Sequence, residues 1–246
     1  FKGTFTFARN KVLEYDEAPG LRPGMKTVGR RLNTFLGYVT NGLYENYTDV
    51  EESPTSTLGN IAISPGDIKY VDQPDANGNY DGRITSDDRV EIGDPWIPEI
   101  VYGFGPSMRW KNWDFSFFFQ GQTNVSLIME NFEPFGERSA RGVLAWIADD
   151  YWSPDYPNVN AKHPRLTRLT NNHNMQVSTY WLRDASFLKL KNVELGYSYK
   201  KARFYISGSN LLTISPFKHW DPEVGTGAGM QYPTQRIFNL GIQMSF

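Results

Sequence analysis

The sequence predicts an all-β chain whose strands belong to an antiparallel transmembrane β-barrel with long extracellular loops. Three observations lead to this fold class. Several segments of about ten residues alternate apolar and polar side chains, which is the length and period of a tilted strand that crosses a bilayer. Short and long connections alternate along the chain. Aromatic residues make up 15% of the 246 residues although the mean hydropathy is only −0.51, as expected when apolar and polar strand faces average out.

The clearest strand is the last segment, RIFNLGIQMSF, at residues 236–246. Side chains alternate between the two faces of a strand, so one predicted face carries Phe238, Leu240, Ile242, Met244 and Phe246. The other face is mostly polar. The segment WDFSFFFQGQ, at residues 113–122, repeats this pattern, with apolar residues at Trp113, Phe115, Phe117 and Phe119.

Further strands are predicted at residues 1–10, 101–110, 187–199 and 203–212. Pro106 has no N–H to donate, so we expect a bulge or weak pairing there. In the segment 187–199, Leu188 and Leu190 share their parity with Asn192 and Glu194. This conflict predicts a bulge or the membrane boundary near Lys191.

The connections divide into two classes. Residues 110–113 and 199–202 predict tight turns, whereas the segments 43–98, 124–184 and 215–234 are long and irregular. Outer-membrane barrels have short periplasmic turns and long extracellular loops. If residue 246 lies in the periplasm, the three long segments are extracellular. The segment 16–28 then falls on the periplasmic side, and about seven strands remain, with the rest of the barrel supplied by residues outside this chain.

Composition and motifs argue against several other classes of protein. The net charge of −2 gives no general attraction for nucleic acid, and the absence of cysteine excludes thiol chemistry and disulfides. The sequence contains no HExxH or GxSxG motif, and no carboxylate pair suits glycoside hydrolysis. The three histidines, His163, His173 and His219, are interpreted as surface residues. The protein is therefore predicted not to be an enzyme.

The segment NGNYDGRITSDD, residues 77–88, has the spacing of an EF-hand-type calcium loop. The predicted ligands are Asn77, Asn79, Asp81, the carbonyl of Arg83, and Asp88. Gly82 supplies the sharp turn. Only two of these residues are carboxylates, so any Ca²⁺ would bind weakly, and no cofactor is required. A polar turn without metal is the alternative.

Aromatic residues in the long segments could stack against cargo or a partner, or could anchor the loops. The candidates for contact are Trp146, Tyr151, Trp152, Trp181, Trp220 and Tyr232. Residues 138–152 also show some helical spacing. This spacing predicts a short helix that either lies in or over the pore or packs on its own loop.

Motifs along almost the whole chain resemble the C-terminal region of SusC/RagA-family TonB-dependent outer-membrane transporters. They are FARNKVLEYDE (7–17), GDIKYVD (66–72), DDRVEIGDPWIPEIVYGFG (87–105), YWSPDYPNV (151–159), HPRL (163–166), STYWLRDASFLKLKNVELGY (178–197), YISGSNLLT (205–213) and DPEV (221–224). The resemblance implies that residues 1–246 form the C-terminal part of one barrel of about 22 strands. The plug domain and earlier strands would lie outside this chain. Phe246 resembles the C-terminal aromatic residue by which barrels are recognised for insertion.

The same resemblance implies a multi-pass protein of the cell outer membrane that imports oligosaccharides or peptides. Its implied partners are a SusD-like surface lipoprotein that forms a lid, TonB acting through the missing N-terminal part, the remaining portion of the barrel, and outer-membrane lipid. The choice between glycan and peptide stays open. The alternative function is a soluble extracellular carbohydrate-binding β domain.

Overall fold

The computed structural model describes residues 1–130 and 142–245, which fall into two compact units. The first unit comprises Phe1–Asn10, Asp94–Leu127 and Arg183–Phe246, and the second comprises Lys11–Gly93 and Ile128–Leu182. Phe246 and residues 131–141 lie outside the described residues, so the predicted insertion signal and the start of the predicted helix are not described.

The described strands are β1 (Lys2–Phe7), β2 (Phe35–Gly37), β3 (Thr40–Leu43), β4 (Thr55–Ser56), β5 (Ile68–Tyr70), β6 (Arg83–Ile84), β7 (Val90–Ile92), β8 (Ile100–Gly105), β9 (Ser107–Trp110), β10 (Trp113–Thr123), β11 (Ser126–Ile128), β12 (Leu182–Asp184), β13 (Phe187–Tyr199), β14 (Ala202–Ile214) and β15 (Ile237–Met244). The helices are α1 (Tyr47–Glu52) and α2 (Ala145–Ala148), with 3₁₀ turns at Pro23–Met25, Ser86–Asp88 and Pro222–Val224. No described helix is both long and apolar enough to cross a membrane.

The first unit is a seven-stranded antiparallel sheet in the order β1-β8-β10-β13-β14-β15, with β9 also paired to β10. The strands predicted from alternation are therefore confirmed. Pro106 separates β8 from β9, because a residue without an N–H interrupts the ladder. The turns at 110–113 and 199–202 are as tight as predicted, and Lys111 and Lys200 adopt φ values of 54° and 52° in them.

The predicted irregularity at Lys191 is a β-bulge. Phe118 pairs with Asn192 and Phe119 with Leu190, so Lys191 is the extra residue on β13. A second shift lies opposite, on β14, where Ser209 pairs with Asn192 and Leu212 with Leu190. Because each bulge changes the parity of its strand, Leu190 and Val193 lie on the same face of the sheet although they are three residues apart.

The long connections all start and finish at the same end of the strands. Phe7 pairs with Ile100, so residues 8–99 form a single connection between neighbouring strands. The connections that follow β10 and β14 begin at this same end of the strands, and the two tight turns lie at the opposite end. The prediction that the segment 16–28 falls on the periplasmic side, opposite the three long segments, is wrong. It belongs to the first long connection, and Arg22 forms ion pairs with Asp81 and Asp88 of that same connection.

The second unit has its own core although the sequence predicts only irregular loops there. Short ladders join β2 to β7 and β3 to β5 as antiparallel pairs, and β4 to β6 as a parallel pair. Its buried apolar residues include Tyr44, Ile68, Tyr70 and Ile84. The fully buried Asp67 is the polar centre of this core and accepts hydrogen bonds from a set of surrounding donors, Arg165, Asn171 and Asn174.

Candidate functional site: the two faces of the main sheet

One face of the seven-stranded sheet is apolar in every row across the strands. Directly paired residues of an antiparallel sheet point to the same side. The register therefore puts one row together from Met108, Phe115, Leu195, Ile206 and Leu240. Leu240 is 84% exposed and Phe238 is 70% exposed on this face. In water such a surface would be strongly unfavourable, so it must face another apolar medium.

Aromatic rings concentrate on this face near the tight turns. The row there runs through Trp110, Trp113, Tyr197, Phe204 and Ile242. The rings of Trp113 and Tyr197 lie 4.7 Å apart between centroids. Tyr and Trp are enriched where a membrane meets water, because their rings combine an apolar body with a polar atom. An aromatic row of this kind is typical of the interface between a membrane and water.

The opposite face is polar. The row next to that of Leu240 consists of Ser107, Ser116, Glu194, Ser207 and Asn239. Nearby, the guanidinium of Arg203 donates hydrogen bonds to Asp114, at 3.0 Å from its Nε, and to Glu194, at 2.5 Å from its Nη2. An apolar outer face and a polar inner face are the two surfaces of a water-filled membrane barrel.

A buried lysine fastens the connection that follows β14 to this polar face. Lys189 is fully buried, and its Nζ donates hydrogen bonds to Asp221 at 2.5 Å and to Glu223 at 2.5 Å. Lys191, at the bulge, donates to Glu223 at 2.7 Å. Burial alone would raise the pKa of Asp221, but the hydrogen bond from Lys189 holds it below its usual value. Lys189 and Lys191 thus bring two cations to one acidic pair.

The aromatic candidates for contact fall into three groups. Trp152 and Trp181 are only 7% exposed, and the indole N–H of Trp181 donates to the carbonyl of Asn174. Tyr151, Trp146 and Trp220 are partly buried. Tyr232 is 78% exposed. Burial gives Trp152 and Trp181 a packing role, and contact with cargo or a partner stays a prediction for the whole set.

The burial of Trp152 explains the glycine of the GDIKYVD motif. Gly66 has a φ of +85°, and a Cβ there would lie 2.2 Å from the Trp152 ring. Only glycine allows both this conformation and this contact.

The helix predicted within residues 138–152 is a single turn, α2, and its Ile147 is buried.

The interpretation of the histidines as surface residues is wrong for His163 and His173, which are 4% and 1% exposed. His173 lies within hydrogen-bonding distance of Ser56 and of the carbonyl of Ile68. Burial lowers the pKa of His163 to about 4, although a hydrogen bond to the carbonyl of Pro164 acts in the opposite direction. Both rings serve as neutral core residues at pH 7. Long-range packing buries them, and no local pattern indicates it.

The predicted calcium ligands do not converge on one point. The backbone N–H groups of Asn77 and Asn79 donate to Asp75, at 2.8 and 2.9 Å. Asp81 and Asp88 instead contact the guanidinium of Arg22. Among the described residues, no three carboxylates or imidazoles are arranged to hold a metal ion. Binding of Ca²⁺ therefore stays a prediction. Arg22, which the sequence analysis missed, lies more than fifty residues away along the chain.

A two-faced antiparallel sheet with its long connections at one end of the strands is the architecture of outer-membrane β-barrels. Curated proteins with similar sequences are TonB-dependent receptors. TonB-dependent receptor P3 of Formosa agariphila is 28% identical over 98% of this chain and 26% of its own length. TonB-dependent receptor SusC of Bacteroides thetaiotaomicron is 27% identical over 86% of this chain and 20% of its own length. No family model matches the chain.

Solved structures show the same fold. The RagAB peptide importer in the open-open state aligns with 99% of this chain and 26% of its own, with a TM-score of 0.67 and 21% identity. The RagAB peptide transporter aligns with 89% of this chain and 23% of its own, with a TM-score of 0.64 and 25% identity. The resemblance to SusC/RagA-type TonB-dependent receptors is confirmed. The chain spans about a quarter of the length of the curated relatives it matches.

Proposed function

We propose that this chain is the C-terminal part of an outer-membrane, TonB-dependent transporter that takes up oligosaccharides or peptides. The observation that carries the proposal is the apolar face, which is exposed in row after row of the sheet. The six strands along the path from β1 to β15, at about 4.8 Å spacing and roughly 26 Å in height, give a face on the order of 700 Å². Soluble monomers rarely expose a contiguous apolar patch of that size.

The two faces then have separate roles. The apolar face contacts the lipid chains, and the aromatic row near the tight turns lies at the interface with water. The polar face lines the lumen through which cargo passes. The long connections lie on the extracellular side, where they contact cargo and a SusD-like lipoprotein lid. TonB acts through a part of the polypeptide outside this chain.

Both classes of cargo are retained. The RagAB peptide transporter, which is 25% identical to this chain, favours peptides. Oligosaccharides stay open because the motifs of the chain resemble the SusC/RagA family, and the printed names of the other relatives state no cargo. Growth assays on a strain that lacks the full-length gene distinguish peptide cargo from oligosaccharide cargo. We expect slower growth on one cargo class as the sole nutrient, rescued by the wild-type gene. Deletion of tonB should have the same effect, and normal growth of both deletion strains on every tested cargo would refute the proposal.

The lid is tested by purification. The full-length protein, extracted in mild detergent, should bring with it a surface lipoprotein in roughly equal amount. Its absence from the purified material, with growth still dependent on the transporter gene, would reject the lid while leaving uptake intact.

The alternative function is a soluble extracellular carbohydrate-binding domain. A soluble domain would bury its apolar sheet face, and no described contact covers Leu240 or Phe238, which stay largely exposed. Size-exclusion chromatography separates the two functions. We expect aggregation when detergent is removed from the full-length protein, whereas a monodisperse protein without detergent would support the soluble domain.

A further inference from the structure

The loop that resembles a calcium site is organised around Asp72, which precedes the predicted first ligand by five residues. Asp72 Oδ2 accepts a hydrogen bond from the backbone N–H of Gly82 at 2.8 Å. This hydrogen bond joins the sharp turn at Gly82 to Asp72 at the start of the loop. Asn77 and Asn79 are directed instead toward Asp75. Asp72 is thus the residue that starts the folded loop.

A guanidinium occupies the space between the carboxylates. Arg22 Nη1 lies 2.7 Å from Asp88 Oδ1 and 2.6 Å from the carbonyl oxygen of Gln73. Arg22 Nη2 lies 2.6 Å from Asp81 Oδ2. Ca²⁺ binds oxygen ligands at 2.3–2.6 Å. A calcium ion on these oxygens would overlap the guanidinium, so the two cations exclude one another.

The second carboxylate oxygen of Asp72, Oδ1, also lies near the guanidinium of Arg22. Asp72 is 7% exposed, and its Oδ1 has no hydrogen-bond partner among the described residues. Arg22 Nη1 lies 3.9 Å from this oxygen. Asp88 is fully buried, and its oxygens also accept hydrogen bonds from Gln73 and Thr85. Buried carboxylates need a cation, and Arg22 is the one that the structure supplies.

We infer that Arg22 is the resident cation of this loop and stands where a calcium ion would otherwise bind. Its guanidinium joins the segment around residues 18–28 to the loop 72–88 and makes the fold of the loop independent of metal. With Arg22 in place, these described carboxylates are not arranged to hold a metal ion. Once the guanidinium is removed, Asp72, Asp81 and Asp88 can move closer together, and with the carbonyl of Gln73 they would then offer the oxygen ligands that a divalent cation prefers.

Hydrogen exchange followed by mass spectrometry on the full-length protein tests this inference, because it reports on residues 72–88 locally. Wild-type exchange should be the same in EDTA and in calcium at about 5 mM, a concentration above the range of weak EF-hand-type sites. In EDTA, Arg22→Ala should exchange roughly tenfold faster or more, since charge-assisted hydrogen bonds are lost. Calcium should slow that exchange back toward the wild-type rate.

Lys26→Ala is the matched control, because it removes an exposed cation of the same segment as Arg22. It should leave exchange unchanged in both solutions. Arg22→Lys keeps the charge but cannot span Asp81 and Asp88 together, so it should give an intermediate rate in EDTA, and it also serves if Arg22→Ala fails to assemble. Slower wild-type exchange in calcium overturns the inference. So does an Arg22→Ala or Arg22→Lys variant that behaves like Lys26→Ala.

Discussion

At the scale of single residues, neighbouring positions on β15 have opposite environments. Leu240 pairs with Ile206 on the apolar face, and Asn239 pairs with Ser207 on the polar face. The two residues lie at nearly the same depth. Their difference therefore isolates the effect of the face from the effect of depth in the membrane.

Leu240→Arg should destabilise the folded state by about 2–4 kcal/mol, because a charge on the lipid face of a barrel near the midplane has that cost. The folded fraction of full-length protein in lipid vesicles, titrated with urea, measures it. Asn239→Arg is the control and should cost much less, since its side chain reaches water. Equal destabilisation by both substitutions would contradict the assignment of the faces.

Protonation of the buried His163 should loosen the packing of the second unit at acidic pH. Its folded pKa of about 4 lies below the ordinary value of 6.5, because burial disfavours the imidazolium. The unfolded state therefore binds more protons between these two values. The contribution to stability, on the order of 3 kcal/mol, is complete above pH 6.5 and is lost as the pH falls toward 4.

Hydrogen exchange of residues 150–166, corrected for the intrinsic effect of pH, measures this contribution. We expect exchange in the wild type to accelerate from pH 7 to pH 5 relative to a His163→Gln variant, which has no imidazole to protonate. The same pH dependence in both proteins would show that another group is responsible.

At the scale of elements, two lysines of β13 anchor the connection that follows β14. Lys189 is fully buried on the polar face, and its ammonium group donates hydrogen bonds to Asp221 and Glu223. Its removal leaves two carboxylates of the DPEV motif without their main cation. The connection at 215–236 depends on this contact for its position.

Lys189→Ala should loosen that connection at a cost of about 2–4 kcal/mol, somewhat less than for a fully buried pair because the carboxylates keep some exposure. Protease sensitivity of residues 215–234 in the full-length protein provides the measurement. Lys191→Ala, which loses only the contacts with Glu223, should have a smaller effect. Resistance equal to the wild type in the Lys189 variant would show that the ion pair does not anchor the connection.

At the scale of the whole molecule, the two faces should differ in their access to water along all of β15. This chain contains no cysteine, so it adds no background signal to cysteine labelling. We expect Phe238→Cys, Leu240→Cys and Ile242→Cys to resist a membrane-impermeant thiol reagent in lipid vesicles. Asn239→Cys and Gln243→Cys should react. Loss of this alternation would mean that the sheet does not separate lipid from water.

The sequence by itself determined the strands of the main sheet, the alternating faces of β10 and β15, the tight turns, and an irregularity at Pro106 and near Lys191. The strand pairing then showed that the irregularity at Lys191 is a bulge. These features depend on local alternation with a period of two, and the sequence shows it directly. The resemblance to SusC/RagA-type receptors was equally visible in continuous motifs such as GDIKYVD.

Only the tertiary structure decided which segments come together within the long connections. Arg22 contacts Asp88 across 66 positions, and the direct pairing of Phe7 with Ile100 moves the segment 16–28 into a long connection. Burial of His173 depends likewise on contacts more than a hundred residues distant. Irregular segments have no repeating pattern that records such contacts, because their packing arises from side chains that meet only after the chain has folded.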